Sequence, residues 1–93
     1  MSLPFILSAG LTSGPLALGR NLVQLLSTNR RYTKDVGELV NTLCERIGRN
    51  DLTAPMELWR LVQGLHFGGA LSPTGLESVE RQLNTLRPQW RSQ

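Results

Sequence analysis

Apolar residues that return every three or four positions leave a chain few choices, because only an α-helix brings i, i+3, i+4 and i+7 onto one face. Between residues 34 and 47 that period is unbroken. Val36, Leu39, Val40, Leu43, Cys44 and Ile47 form the stripe, with Glu38, Asn41, Thr42 and Glu45 on the other side. Thr33 is placed to cap the start and Gly48 to stop the end. The spacing predicts a half-buried helix over 34–47.

Three further segments carry the same period. After Ser13 as a cap, with Pro15 in the first turn, a helix is expected over about 15–28. Leu16, Leu18, Leu22, Val23, Leu25 and Leu26 fill half its circumference and leave Arg20, Asn21 and Gln24 opposite. Thr53 and Pro55 open a helix over about 54–67 that stops at Gly68 and Gly69. Its Leu58, Trp59, Leu61, Val62 and Leu65 spread over about 160° of arc, the breadth of a central helix with several neighbours. The last helix, about 73–87, starts either at Ser72 with Pro73 behind it or at Thr74 with Glu77 in capping-box spacing, and Pro88 ends it. Leu76, Val79, Leu83 and Leu86 give it only a narrow seam, suited to the outside of a bundle or to pairing with a second chain.

Ahead of these, Leu3 to Ala9 is apolar on nearly every side and is expected as a short buried helix or arm, while residues 88–93 read as a tail. No alternating run of useful length argues for a strand. The expected fold is all-α: one domain over 1–93, a compact bundle of four to five short helices.

A chain of 93 residues with 40% hydrophobic and 18% charged side chains has material for one core and too little charge for a disordered coil. The aromatic anchors are Phe5, Tyr32, Trp59, Phe67 and Trp90. With Cys44 as the single cysteine, no internal disulfide can form, which argues for an intracellular, cytoplasmic setting. Pro4, Gly10, Gly14, Pro15 and Gly19 interrupt the oily N-terminal stretch, so it does not read as a membrane span. The acid-free stretch from Met1 to Lys34, with Arg20, Arg30 and Arg31, has the composition of a mitochondrial targeting segment, a reading ranked below the cytoplasmic one.

Chemistry finds little purchase. Cys44 and His66 are the one thiol and imidazole, but Cys44 lies on an apolar stripe and no third group is nominated to orient them. One Cys and one His do not make a zinc set, the pairs Glu38/Glu45 and Glu77/Glu80 read as solvated, and Gly68-Gly69 lacks the lysine of a phosphate loop. The chain therefore reads as a non-enzyme, with no catalytic, cofactor or metal-binding residues. Gly19 falls within an apolar arc, where a missing side chain lets helices approach, whereas Gly37 and Gly64 fall at or beyond an arc edge.

Two surfaces stand out. Trp90 lies past the last helix, so Leu76, Val79, Leu83, Leu86, Arg87, Trp90 and Arg91 form a candidate protein interface. The net charge is a mild +3, and Arg30, Arg31 and Lys34 flank Tyr32 as a candidate nucleic-acid contact. A helix-turn-helix reading of 74–87, with Arg81, Asn84 and Arg87 outward, is the weaker nucleic-acid option. The expected function is a protein-protein interaction or assembly module, an adaptor, regulator or structural subunit whose partner is another protein or its own copy as a homodimer. A small nucleic-acid-binding regulator is the first alternative, and association of the N-terminal segment with a membrane surface is the second.

Overall fold

The computed structural model describes residues 14–92; the helix or arm expected at 3–9, and Ser13, lie outside them. The elements are α1 (Pro15–Leu26), α2 (Lys34–Gly48), α3 (Ala54–Phe67) and α4 (Pro73–Leu86), followed by one 3-10 turn (Trp90–Ser92). There is no strand among the described residues, and the fold is an all-α bundle.

Local chemistry sets the helix ends. At α2 the Thr33 hydroxyl accepts a hydrogen bond from the Val36 amide at 3.3 Å. Ser72 does the same for α4, accepting from Gly75 at 3.1 Å, so of the two competing starts the chain uses Ser72 with Pro73 in the first turn. Thr53 caps differently from the expectation. Its hydroxyl makes no cap bond to the α3 backbone; instead its amide donates to Asp51 Oδ1 at 3.0 Å. Helix α1 begins after Gly14 without a side-chain cap.

Helices α2 and α3 stop by one device, a residue in the left-handed region. After α3 the residue is Gly69 (φ 85°), and the Ala70 and Gly69 amides reach back to the Leu65 and His66 carbonyls at 2.8 and 3.0 Å. After α2 it is Asn50 (φ 66°), with Asp51 and Asn50 donating to Arg46 and Ile47 at 3.0 and 3.1 Å. Each turn re-satisfies carbonyls that the helix end would leave unpaired.

The helices close into a ring: each packs on its chain neighbours, and α1 returns against α4. No helix is central, which corrects the reading of α3 as the hub. Inside the ring lie Leu18, Leu22 and Leu26 of α1, Val40, Leu43 and Ile47 of α2, Leu58 and Val62 of α3, and Val79 and Leu83 of α4. Helix α4 is a full wall, because its narrow seam is all it needs to face inward. Gly19 marks a close approach of two helices: a Cβ there would stand 3.1 Å from Asn41 Oδ1 and 3.2 Å from Cys44 Sγ, so its hydrogen lets α1 approach α2. Gly37, expected at an arc edge, is instead buried beneath the Tyr32 ring, while Gly64 faces open space.

Residues 88–92 are not a loose tail. After Pro88 the chain turns back and seats Trp90 in the core with 1% of its surface exposed. The indole N–H donates to Asn84 Oδ1 at 2.8 Å, which removes the cost of burying it unpaired. Trp59 meets the Trp90 ring edge-on at a centroid distance of 5.7 Å, and the Arg91 guanidinium lies 4.8 Å over Trp90.

Candidate interaction surface

The thiol and the imidazole stand in different surroundings. Cys44 is buried between helices, and desolvation pushes its thiol up to about 12, far from the thiolate a nucleophile needs. His66 Nδ1 lies 2.8 Å from the Leu71 carbonyl, an acceptor only, so that nitrogen carries the proton. Arg46 gathers the carboxylates Asp51 (2.8 Å) and Glu57 (2.6 Å) across the α2–α3 connection. That guanidinium, with the Thr53 hydroxyl and amide, holds the Asp51 carboxyl at about 2, and Arg46 lowers Glu57 as well. The cluster is a structural clamp, with every charged oxygen aimed at the arginine or Thr53. Among the described residues no group of three or more His, Cys, Asp or Glu is arranged to hold a metal ion, and no helix is long and apolar enough to cross a membrane.

The interface expected along α4 is covered from within. Val79, Leu83 and Trp90 are buried, and Leu76 and Leu86 are half-buried against the core. Arg87 donates to the Ile47 carbonyl at 2.6 Å and to Asn50 Oδ1 at 2.9 Å, so it ties the end of α4 to the end of α2. Arg91 stacks on the tryptophans and pairs with Glu80. The apolar excess expected at the C-terminal end is therefore absorbed, because the chain after Pro88 folds back and buries Trp90. The same contacts weaken the helix-turn-helix reading: Arg81 and Asn84 are exposed, but the Asn84 side-chain oxygen is taken by the Trp90 N–H and Arg87 is tied to the end of α2.

The residues of the basic cluster are brought near one another but do not form an aromatic platform between cations. Arg30 and Lys34 are exposed; Tyr32 is half-buried, its ring laid over Gly37 and packed against the core. Arg31 reaches across to the α3–α4 connection and donates to the Gly68 carbonyl, while Asn29 Nδ2 donates to Gly69 O at 3.1 Å. The α1–α2 loop and the α3–α4 loop are thereby stitched together.

Beside that stitch opens a cleft of about 510 Å³, lined by Leu25, Ala70, Leu71 and Pro73, with His66 and Asn29 among the polar members of its wall. Leu25 is 48% exposed although it lies within the apolar arc of α1. Next to His66, at a ring-centroid distance of 5.6 Å, stands Phe67, 82% exposed in the last turn of α3. The apolar surplus expected at Trp90 thus lies at an exposed phenylalanine beside an oily cleft. A signal for it existed: at 100° per residue Phe67 points about 180° away from Leu58, one of the three apolar residues of α3 with 0% of their surface exposed. Leu25 gave none, because its exposure arises from where the bundle ends.

A second cleft of about 360 Å³ lies at the opposite loops, between Leu52, Pro55, Pro88 and Trp90. Its charged members, Asp51 and Arg87, are already tied to Arg46 and to the α2 end. Comparison of the chain with protein-family models, with curated proteins and with solved structures returns no match.

Proposed function

We propose that this chain is a non-enzymatic helical interaction module that docks another protein through the cleft lined by Leu25 and Leu71 and through Phe67, which stands beside the His66 of its wall. The observation that carries this reading is Phe67, a large ring with 82% of its surface in water on a bundle that buries its two other largest apolar anchors wholly or in part. An exposed aromatic on a concave, largely apolar surface is the arrangement in which a few side chains dominate binding energy. The stitched loops hold the rim in place, so little order has to be imposed on association. The inert setting of Cys44 supports a role that needs no nucleophile.

The test uses the full chain as bait in the wild-type and Phe67→Ser forms, with circular dichroism to establish that both are folded, and light scattering to record their mass. Partner capture, or self-association, that Phe67→Ser abolishes supports the reading. Equal capture by both forms, or a strict monomer that recovers nothing in either form, overturns it.

A further inference from the structure

The class of partner follows from charge around the same cleft. None of its lining residues is acidic. Its edge is Gly69, and the Arg31 guanidinium lies against that residue, 3.4 Å from where a Cβ would stand. From residue 27 to 37 the chain carries Arg30, Arg31 and Lys34 against the single acid Asp35, a local net charge of +2. The clamp at the other end of α2 neutralises its arginine with two carboxylates, and Arg91 has Glu80. Among the described residues only Arg46 and Arg91 have a carboxylate within 4.0 Å, so Arg30, Arg31 and Lys34 are without one, as are the other arginines, and what sets them apart is that they lie together in one short segment. Arg31 is satisfied only by a neutral carbonyl. Arg31 therefore stands at the edge of the oily hollow, and Arg30 and Lys34 flank it in the chain segment that leaves the cleft wall at Thr28 and Asn29.

Resting on the interaction-module reading, we propose that the occupant is an acidic amphipathic segment of another protein, with its apolar residues placed against Leu25, Phe67 and Leu71 and its carboxylates toward Arg30, Arg31 and Lys34. Apolar contact supplies affinity, and the cations orient the segment and reject a basic one. A nucleic acid would meet the same charges, but it has no use for the aliphatic floor, and the ring that would stack on its bases, Tyr32, is laid against the protein.

The experiment is a fluorescence-anisotropy titration of the full chain with three labelled helix-forming peptides that share Leu and Phe on one face and differ only in carrying Glu, Gln or Lys on the other. A labelled single-stranded oligonucleotide serves as a fourth probe. The expected result is binding of the Glu peptide about five- to tenfold tighter than the Gln peptide, with the Lys peptide weakest, and loss of that advantage as salt is raised. Reversing the two cations that make no internal bond, with Arg30→Glu and Lys34→Glu, should bring Glu-peptide affinity to or below that of the Gln peptide and leave Gln-peptide affinity unchanged. Phe67→Ser should weaken both. Equal binding of the Glu and Gln peptides overturns the acidic partner while the interaction module stands. Binding of the oligonucleotide in preference to every peptide overturns the acidic partner in favour of nucleic acid. Failure of all four probes also overturns it, and the capture experiment then decides the broader reading on its own.

Discussion

Trp90 and Phe67 are both large aromatics near the end of a helix, and the fold treats them in opposite ways. Behind Trp90 the chain supplies a return path through Pro88 and Gln89, a polar partner in Asn84 and a cation to lie over the ring. Behind Phe67 it supplies Gly68 and then Gly69 in the left-handed region, which sends the backbone away before anything can cover the ring. Hydrophobicity alone does not bury a side chain; the neighbouring residues must offer a route and a partner for each polar group that goes in with it.

The sharpest way to break this comparison is to remove each ring in turn. Trp90→Ala should destabilise the bundle by about 3–5 kcal/mol, enough to unfold a domain of this size or to strip much of its melting transition. Phe67→Ser should move stability by no more than about 0.5 kcal/mol. Thermal melts of the two variants, followed by far-ultraviolet circular dichroism, decide the matter; similar losses would mean that the two rings are not used differently.

The next effect sharpens the account of how the Trp90 end is closed. Arg87→Met keeps the aliphatic stem but leaves the Ile47 carbonyl and Asn50 without their guanidinium, and a loss of about 1–3 kcal/mol is expected in urea titration. An unchanged midpoint would show that Trp90 needs no such tie. Smaller again are the glycines. At Gly64, where a Cβ meets nothing within 4 Å, alanine should stabilise α3 by about 0.5–1 kcal/mol, whereas at Gly19 the same change crowds Cys44 and Asn41 and should fail to stabilise. Opposite signs in the two melting temperatures check the α1–α2 crossing.

The smallest expected effect is acid sensitivity of the Arg46 clamp. The Asp51 carboxyl is lowered from 3.8 to about 2 in the folded chain, so its contribution is fully present above the unfolded value and is lost as pH falls from there through about 2. Glu57 is shifted in the same direction. Melts between pH 5 and pH 2 should show a modest decline that Arg46→Met removes; a decline of equal size in the variant would place the acid sensitivity elsewhere.

The helices were legible because their period and their punctuation agree: the expected 54–67 is the observed α3, and the expected 15–28, 34–47 and 73–87 differ from α1, α2 and α4 by one or two residues at their C-terminal ends. The interaction surface was not, because periodicity tells which residues share a face without telling what lies across from it. Leu39 shows the difficulty. It belongs to the apolar stripe of α2, yet at 100° per residue it lies at the edge of that stripe, and among the described residues it is left 46% exposed. Trp90 failed for a longer-range reason. Its burial depends on Asn84 and on an end of α2 that Arg87 holds from forty residues away. A window of local sequence carries no record of such a contact.

The sealed thiol at the crossing of α1 and α2 makes this molecule its own gauge. Because the sequence holds one sulfhydryl and the fold buries it beside Gly19 of α1, a disulfide reagent can reach it only when the packing around it opens. The pace at which the wild-type chain takes up such a reagent therefore reads how often the ring opens, with no label and no substitution, and a partner seated at Leu25 and Phe67 should slow it.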